Sequence, residues 1–401
     1  MSKSKLIVIA AAVCAATVAV AAGADSQGSV LEARAVLPAD TFAPGPPSGA
    51  QIAPGANGRT APFASQPVQG FSAVLPAERG SYWVMEDNGY GSKSNSRDFL
   101  LRLYHVTPHW KTAKGGSGTV SVGDYIQLHD PDHKVPFAIV DASDPQRPLT
   151  GADFDIESVR KVKDGTLWFG EEFGPFLLHT DGAGKVLDAP IGLAGVRSPD
   201  SPYLNGATPT LGSSRGFEGM AMSTNGKTLY PMLEGAVAGD APNTRRIYAF
   251  DVRGKAYTGH SWKYRVDQAA NSIGDFTQLD EDHFLVIERD PNQGSSAAQK
   301  TIYEIDLHNV GADGYVVKHL AVDLMSIADP AGISLPARPG DLGLGTTFSM
   351  PFVTIESVLP LDDNRLLVIN DNNYPFSTGR NPSRPDDNEF VVVSTSSNSQ
   401  N

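Results

Sequence analysis

The 401 residues are 40% hydrophobic and 19% charged, with 40 Gly and 29 Pro, a globular mixture that excludes fibrous and disordered classes. Lys and Arg number 32 against 45 Asp and Glu, a balance of −13, so nucleic acid and anionic membrane surfaces are not expected partners. Cys14 is the only cysteine, which excludes an intramolecular disulfide and any cysteine-held zinc or iron–sulfur centre.

Taken in chain order, residues 1–24 carry Lys3 and Lys5, an apolar stretch from Leu6 to Ala22, and Ala22-Gly23-Ala24, the small-residue end that a signal peptidase accepts. This predicts a signal peptide cut before Asp25 and a secreted or periplasmic chain with no membrane span after cleavage. Residues 25–65 are rich in Pro, Ala and Gly and read as a linker or strap, and 394–401 as a disordered polar tail. The domain proper is expected over 66–393.

Within it, no long amphipathic helix is found, and short β-branched and aromatic runs recur between turn signals. Five units align, each pairing a first position with a later acid: Ser72 with Asp87, Glu157 with Glu172, Glu218 with Glu234, Asp275 with Asp290, and Glu356 with Asp371. The separation within a pair is constant apart from a single insertion in the third unit, and a turn such as Asp164-Gly165 or Asn225-Gly226 lies midway. Each pair therefore reads as the open end of an antiparallel hairpin. The unit starts at Glu157, Glu218 and Asp275 are spaced by roughly 60 residues, which suits a four-stranded blade, so the fold is predicted all-β, a β-propeller. Dividing the domain by the repeat gives about six blades, with five or seven compatible with the wider gaps.

The innermost strand of a propeller blade faces the central channel, which gathers Glu157, Glu218, Asp275 and Glu356 at one mouth, helped by Glu172 and Asp371. Crowded carboxylates raise one another's pKa unless a cation compensates, and an oxygen-only donor set points to Ca2+. Arg160, Arg215 and Arg289 lie beside these acids in sequence, and Lys300 follows Asp290; such cations could neutralise phosphoester oxygens or simply pair with the acids as ring-closing ion pairs. Arg97, Arg245 and Arg380 recur in the same way and read as partners for the outer acids. Gly212-Ser213-Ser214-Arg215-Gly216 fits the GxSxG pattern, but the strand-to-helix context of a nucleophile elbow is missing.

The stretches Asp153-Phe154-Asp155-Ile156-Glu157-Ser158, Trp168-Phe169-Gly170-Glu171-Glu172-Phe173-Gly174-Pro175, Arg215-Gly216-Phe217-Glu218-Gly219-Met220, Ile287-Glu288-Arg289-Asp290 and Ile369-Asn370-Asp371-Asn372-Asn373 together resemble the phytase-like domain family, described as having esterase-like activity of phytase. The resemblance implies a secreted propeller related to calcium-dependent phosphate-ester hydrolases. Ser72, in place of an acid, departs from the repeat.

The reading that joins these signals is a secreted, calcium-dependent hydrolase, a monomer, acting on a small-molecule phosphoester through metal-activated water. Two rivals stand beside it: a metal-dependent carboxylic-ester or lactone hydrolase, which needs no anion-binding arginines, and a non-catalytic, calcium-stabilised binding propeller.

Overall fold

The computed structural model describes residues 28–395; the expected signal peptide and all but the first two residues of the expected tail lie outside them. Among the described residues there is no α-helix, only short 3-10 turns at Ala50–Ile52, Glu78–Gly80 and Gly294–Ser296, and no helix long and apolar enough to cross a membrane.

Blade 1 is built from Phe71–Pro76, Tyr82–Glu86, Arg102–His109 and Thr119–Gln127, and blade 2 from Ile156–Lys161, Leu167–Glu171, Phe176–Thr180 and the short Ile191–Gly192. Phe217–Met222, Thr228–Leu233, Thr244–Asp251 and Ala256–Arg265 form blade 3; Ser272–Gln278, His283–Arg289, Lys300–Val310 and Val316–Asp323 form blade 4. Blade 5 takes Ser357–Asp362, Arg365–Ile369 and Asn388–Ser394 from the end of the chain and its outer strand, Leu31–Leu37, from the beginning. A single parallel pairing, Val36 with Thr119, links blades 5 and 1 at their outer edges. The first strands of successive blades touch in order, and blade 5 returns to blade 1. The all-β propeller expectation is borne out, and the described strands form a ring of five blades, a count the wide gaps allowed, where six were favoured.

The inner strands, such as Ile156–Lys161, Leu167–Glu171 and His283–Arg289, are buried on both faces and read as near-continuous apolar runs, while outer strands such as Thr119–Gln127 and Ala256–Arg265 are largely exposed. In Leu167-Trp168-Phe169, Leu167 and Phe169 pack into the joint with blade 1, while Trp168 packs into the joint with blade 3. Five such cores fill the five joints between neighbouring blades. The wide gaps that suggested a sixth blade supply core instead. Leu128, Leu149 and Phe154 of one long connection pack between blades 1 and 2. Leu324, Phe348, Met350 and Phe352 of another pack between blades 4 and 5.

Leu31–Leu37, expected within a linker or strap, is a strand whose alternate residues are buried. It pairs antiparallel with Asn388–Ser394, and Arg34 reaches Glu389 at 2.8 Å. Arg380 approaches the same carboxylate at 2.8 Å, and these two guanidinium groups hold Glu389 down to about 2 although it is buried. Residues 38–65 then cross the rim, where Phe63 packs with Tyr90, Phe99 and Tyr374.

Candidate metal centre at one mouth of the channel

A β-bulge opens the first strand of four blades. In blade 2, Ile156 faces Glu171 and Ser158 faces Gly170, so Glu157 is the extra residue; in blade 3, Phe217 faces Leu233 and Gly219 faces Met232, which leaves Glu218. Ser72 holds that place in blade 1, and Glu356 stands immediately before the first strand of blade 5. A bulged residue escapes the ladder and is re-aimed, here toward the channel mouth. The residue just beyond the facing strand closes the pair in blades 1, 2 and 3, Asp87, Glu172 and Glu234, and Asp371, two residues beyond Ile369, does so in blade 5.

Blade 4 breaks the pattern. Ile273 faces Glu288 and Asp275 faces Ile287, so the bulged residue is Gly274 and the outer position is Arg289, one residue before Asp275 and Asp290. A Cβ at Gly274 would meet the carbonyl oxygen of Ile355 at 2.0 Å, so blades 4 and 5 approach too closely there for a side chain. Asp275 is turned from the cavity: it accepts the Phe276 N–H at 2.7 Å, the Val358 N–H at 2.9 Å and Arg160 at 3.4 Å. A one-residue shift of register sends every side chain to the other face, which is why the expected ligand became a brace.

The resulting cavity, of about 300 Å³, is lined by eight carboxylates: Asp87, Asp155, Glu157, Glu172, Glu218, Glu234, Glu356 and Asp371. Arg215 and Arg289 are the cations in its wall. Carboxylate oxygens of Glu157, Glu218 and Glu356 lie within 4.8 Å of one another, as do those of Asp155, Glu157 and Glu172, and those of Glu172, Glu218 and Glu234. Arg289 fills the gap left by Gly274, reaching Glu356 at 2.7 Å, Glu218 at 3.5 Å and Glu234 at 3.6 Å. Arg215, half-exposed at the rim, pairs with Glu234 and donates to Ser272 Oγ at 3.0 Å. Ser72 donates to Glu356 at 3.0 Å, and Asp155 accepts from Asn88 at 2.6 Å and from Ser214 Oγ at 3.1 Å.

Burial and mutual repulsion push Glu157, Glu172, Glu218 and Asp87 well above the usual carboxylate range. Burial raises Glu356 to about 8 despite Arg289, and Asp155 and Asp371 to about 6. Glu172 Oε1 has no hydrogen-bond partner although it is buried against this cavity, the state of an acceptor that a cation would complete. The donors are all oxygen, which fits a hard divalent ion.

Of the expected metal ligands, the fold brings Glu157, Glu172, Glu218, Glu356 and Asp371 to the cavity wall and leaves Asp275 outside. Of the expected anion-binding cations, Arg215 and Arg289 reach the wall. Arg160 lies deeper, tied to Asp275 and to the carbonyls of Val159 and Phe276. Lys300 is fully buried and is taken up by Asp290 at 3.1 Å and by the carbonyls of Asp290 and Asn292. Arg380 pairs with Glu389 rather than Asp371, and Arg245 donates to carbonyls rather than to an acid. The sequence reading left Asp87, Asp155 and Glu234 out of the ligand set; Asp87 and Glu234 stand on the repeated hairpin position, which was the signal for them.

A family model described as "Phytase-like: Esterase-like activity of phytase" matches residues 66–374. An "Uncharacterized secreted protein" of Arthroderma benhamiae is 26% identical over 188 residues, a match spanning 36% of this chain and 35% of that protein. Among solved structures, a luciferin-regenerating enzyme is 12% identical with a TM-score of 0.35, covering 82% of this chain and 79% of that one. The Dos1 propeller is 8% identical with a TM-score of 0.31, covering 84% and 69%.

Proposed function

The chain belongs to the phytase-like family, and on that premise we propose that it is a secreted, calcium-dependent hydrolase of small phosphoesters working at the acidic channel mouth. The observation that carries the proposal is the set of eight carboxylates around one cavity with Glu172 Oε1 unpartnered and two arginines in the wall. The leader-like segment 1–24 and the secreted relative support export.

Glu157, Glu172 and Glu218, flanked by Glu356, Asp155 and Asp371, would hold the ion. A calcium ion held there would supply Lewis acidity toward a phosphoryl oxygen and would lower the pKa of water. Arg289 holds Glu356 and Glu218 in place from the side where blade 4 offers no acid. Arg215 stands at the rim and can turn from Glu234 to a substrate oxygen, offsetting the charge that builds on a phosphoryl group. Asp155, already joined to Ser214 and Asn88, is placed to take a proton at the rim. Arg160 and Lys300, saturated by their own partners, are left out of this chemistry.

The test is an assay with and without calcium on an aryl phosphate, an aryl phosphodiester, phytate and an aryl acetate. Phosphoester turnover that requires calcium and drops in Arg215→Ala is the expected result. Hydrolysis of the acetate that survives both Arg215→Ala and Arg289→Ala would move the activity to carboxylic esters, and zero rates throughout would leave a binding propeller.

A further inference from the structure

The far end of the channel is chemically the reverse of the acidic mouth. A pocket of about 450 Å³ opens there, and every blade contributes to it: Leu75, Val162, Met222, Thr277 and Leu359 stand on or just after the first strands, away from the acids. Its walls are mostly apolar. Arg160 of blade 2 crosses the channel to blade 4, donating to the Phe276 carbonyl at 2.9 Å and to Asp275 at 3.4 Å, and Asp275 accepts in turn from the Val358 N–H of blade 5. This brace lines the far pocket and not the acidic cavity, so the channel has two separate mouths.

Arg160, Lys161 and Lys163 line the far pocket and, among the described residues, no acid does, in a chain whose acids outnumber its bases 45 to 32. Arg160 is spent on Asp275, whereas Lys161 and Lys163 are exposed and form no ion pair among the described residues. Thr277 is buried against the pocket, yet no hydrogen bond among the described residues uses its hydroxyl. Apolar walls, a few polar groups that fix orientation and a volume of this order are the make-up of a small-molecule site. The unbalanced lysines set the sign of the ligand's charge.

We propose that the far mouth of the channel binds a small amphipathic carboxylate. Its apolar body lies against Leu75, Val162, Met222 and Leu359, its carboxylate takes a hydrogen bond from Thr277 Oγ, and Lys161 and Lys163 balance its charge. This site is independent of the chemistry proposed for the acidic mouth, and its ligand need not be a substrate.

Calorimetric titration of the full chain with decanoate, 1-naphthoate, decanol and decylamine tests the site. A chelator is present throughout, so that a carboxylate held by calcium at the acidic mouth is not counted. At least one carboxylate is expected to bind roughly tenfold or more tightly than the alcohol or the amine, and the better of the two tells a chain-shaped body from a ring. Thr277→Val keeps the shape of the wall and removes the donor, and it should weaken carboxylate binding about tenfold to a hundredfold. Lys161→Gln combined with Lys163→Gln changes only exposed residues and should weaken it about twofold to tenfold while leaving decanol binding unchanged, so a misfolded Thr277→Val does not end the test. Wild-type protein that binds neither carboxylate, decanol or decylamine binding as tightly as the carboxylates, or a lysine double variant that binds them as the wild type does, would overturn the proposal.

Discussion

Glu389 at the ring closure and Glu157 at the channel mouth are both buried, yet Glu389 is pulled down to about 2 and Glu157 is pushed well above the ordinary range. Burial penalises both charges alike; the neighbours differ. Glu389 sits between Arg34 and Arg380, while Glu157 faces Asp155, Glu218, Asp87 and Glu356. One region is electrostatically complete within the chain. The other gathers eight carboxylates against two arginines, and under the proposed function a bound cation would offset that excess.

The sharpest way to break the comparison is Glu389→Ala, which leaves the buried Arg380 and the partly buried Arg34 without the carboxylate they share. A loss of about 3–5 kcal/mol in denaturant unfolding is expected, and a loss near zero would mean the closure is held by apolar packing alone. The same residue sets a pH window. Because its folded pKa is depressed, its stabilisation is present above the ordinary carboxylate pKa of about 4.3 and is lost as pH falls toward 2. Glu389→Gln should flatten the stability profile over that interval.

At the mouth, calcium at a hundred times its dissociation constant should stabilise the protein by about 2.7 kcal/mol. Glu157→Gln should abolish that gain while making the calcium-free protein more stable by roughly 1 kcal/mol, since a repelling group is removed. A calcium-free Glu157→Gln protein less stable than wild type would show that the mouth is a structural cluster like the closure. Gly274→Ala drives a methyl into the Ile355 carbonyl and should cost about 1–3 kcal/mol by thermal unfolding, with calcium binding weakened as Arg289 shifts. Least costly is Ser72→Ala, about 0.5–1.5 kcal/mol, for one hydrogen bond to Glu356.

The propeller and most of the acidic mouth were legible because a repeated hairpin imposes a repeated spacing, and Glu157, Glu218 and Glu356 obey it. Blade 4 was misread for a reason built into the same logic. Gly274 stands as far from Arg289 as Asp275 does from Asp290, so a one-residue slip leaves the spacing unchanged while exchanging the residues that face the cavity. Bulges decide which of the two registers is real, and they are set by how closely neighbouring blades pack, which no pattern within one blade reveals. The blade count stayed open for a similar reason: residues 128–155, and residues 324–355 apart from the short pairing of Ile327–Ala328 with Thr347–Phe348, fill joints between blades, and their apolar content looks the same in sequence either way.

The outer strand of blade 5 comes from residues 31–37, and the ion pair of Arg34 with Glu389 joins nearly opposite ends of the chain. During synthesis this strand can meet Lys111-Thr112 and Thr119 early, but its long partner Asn388–Ser394 follows far later, and joining such distant segments makes closure a slow event. Until Asn388–Ser394 is made, the edge of Leu31–Leu37 that it will cover is open to any other exposed strand, which makes that interval aggregation-prone.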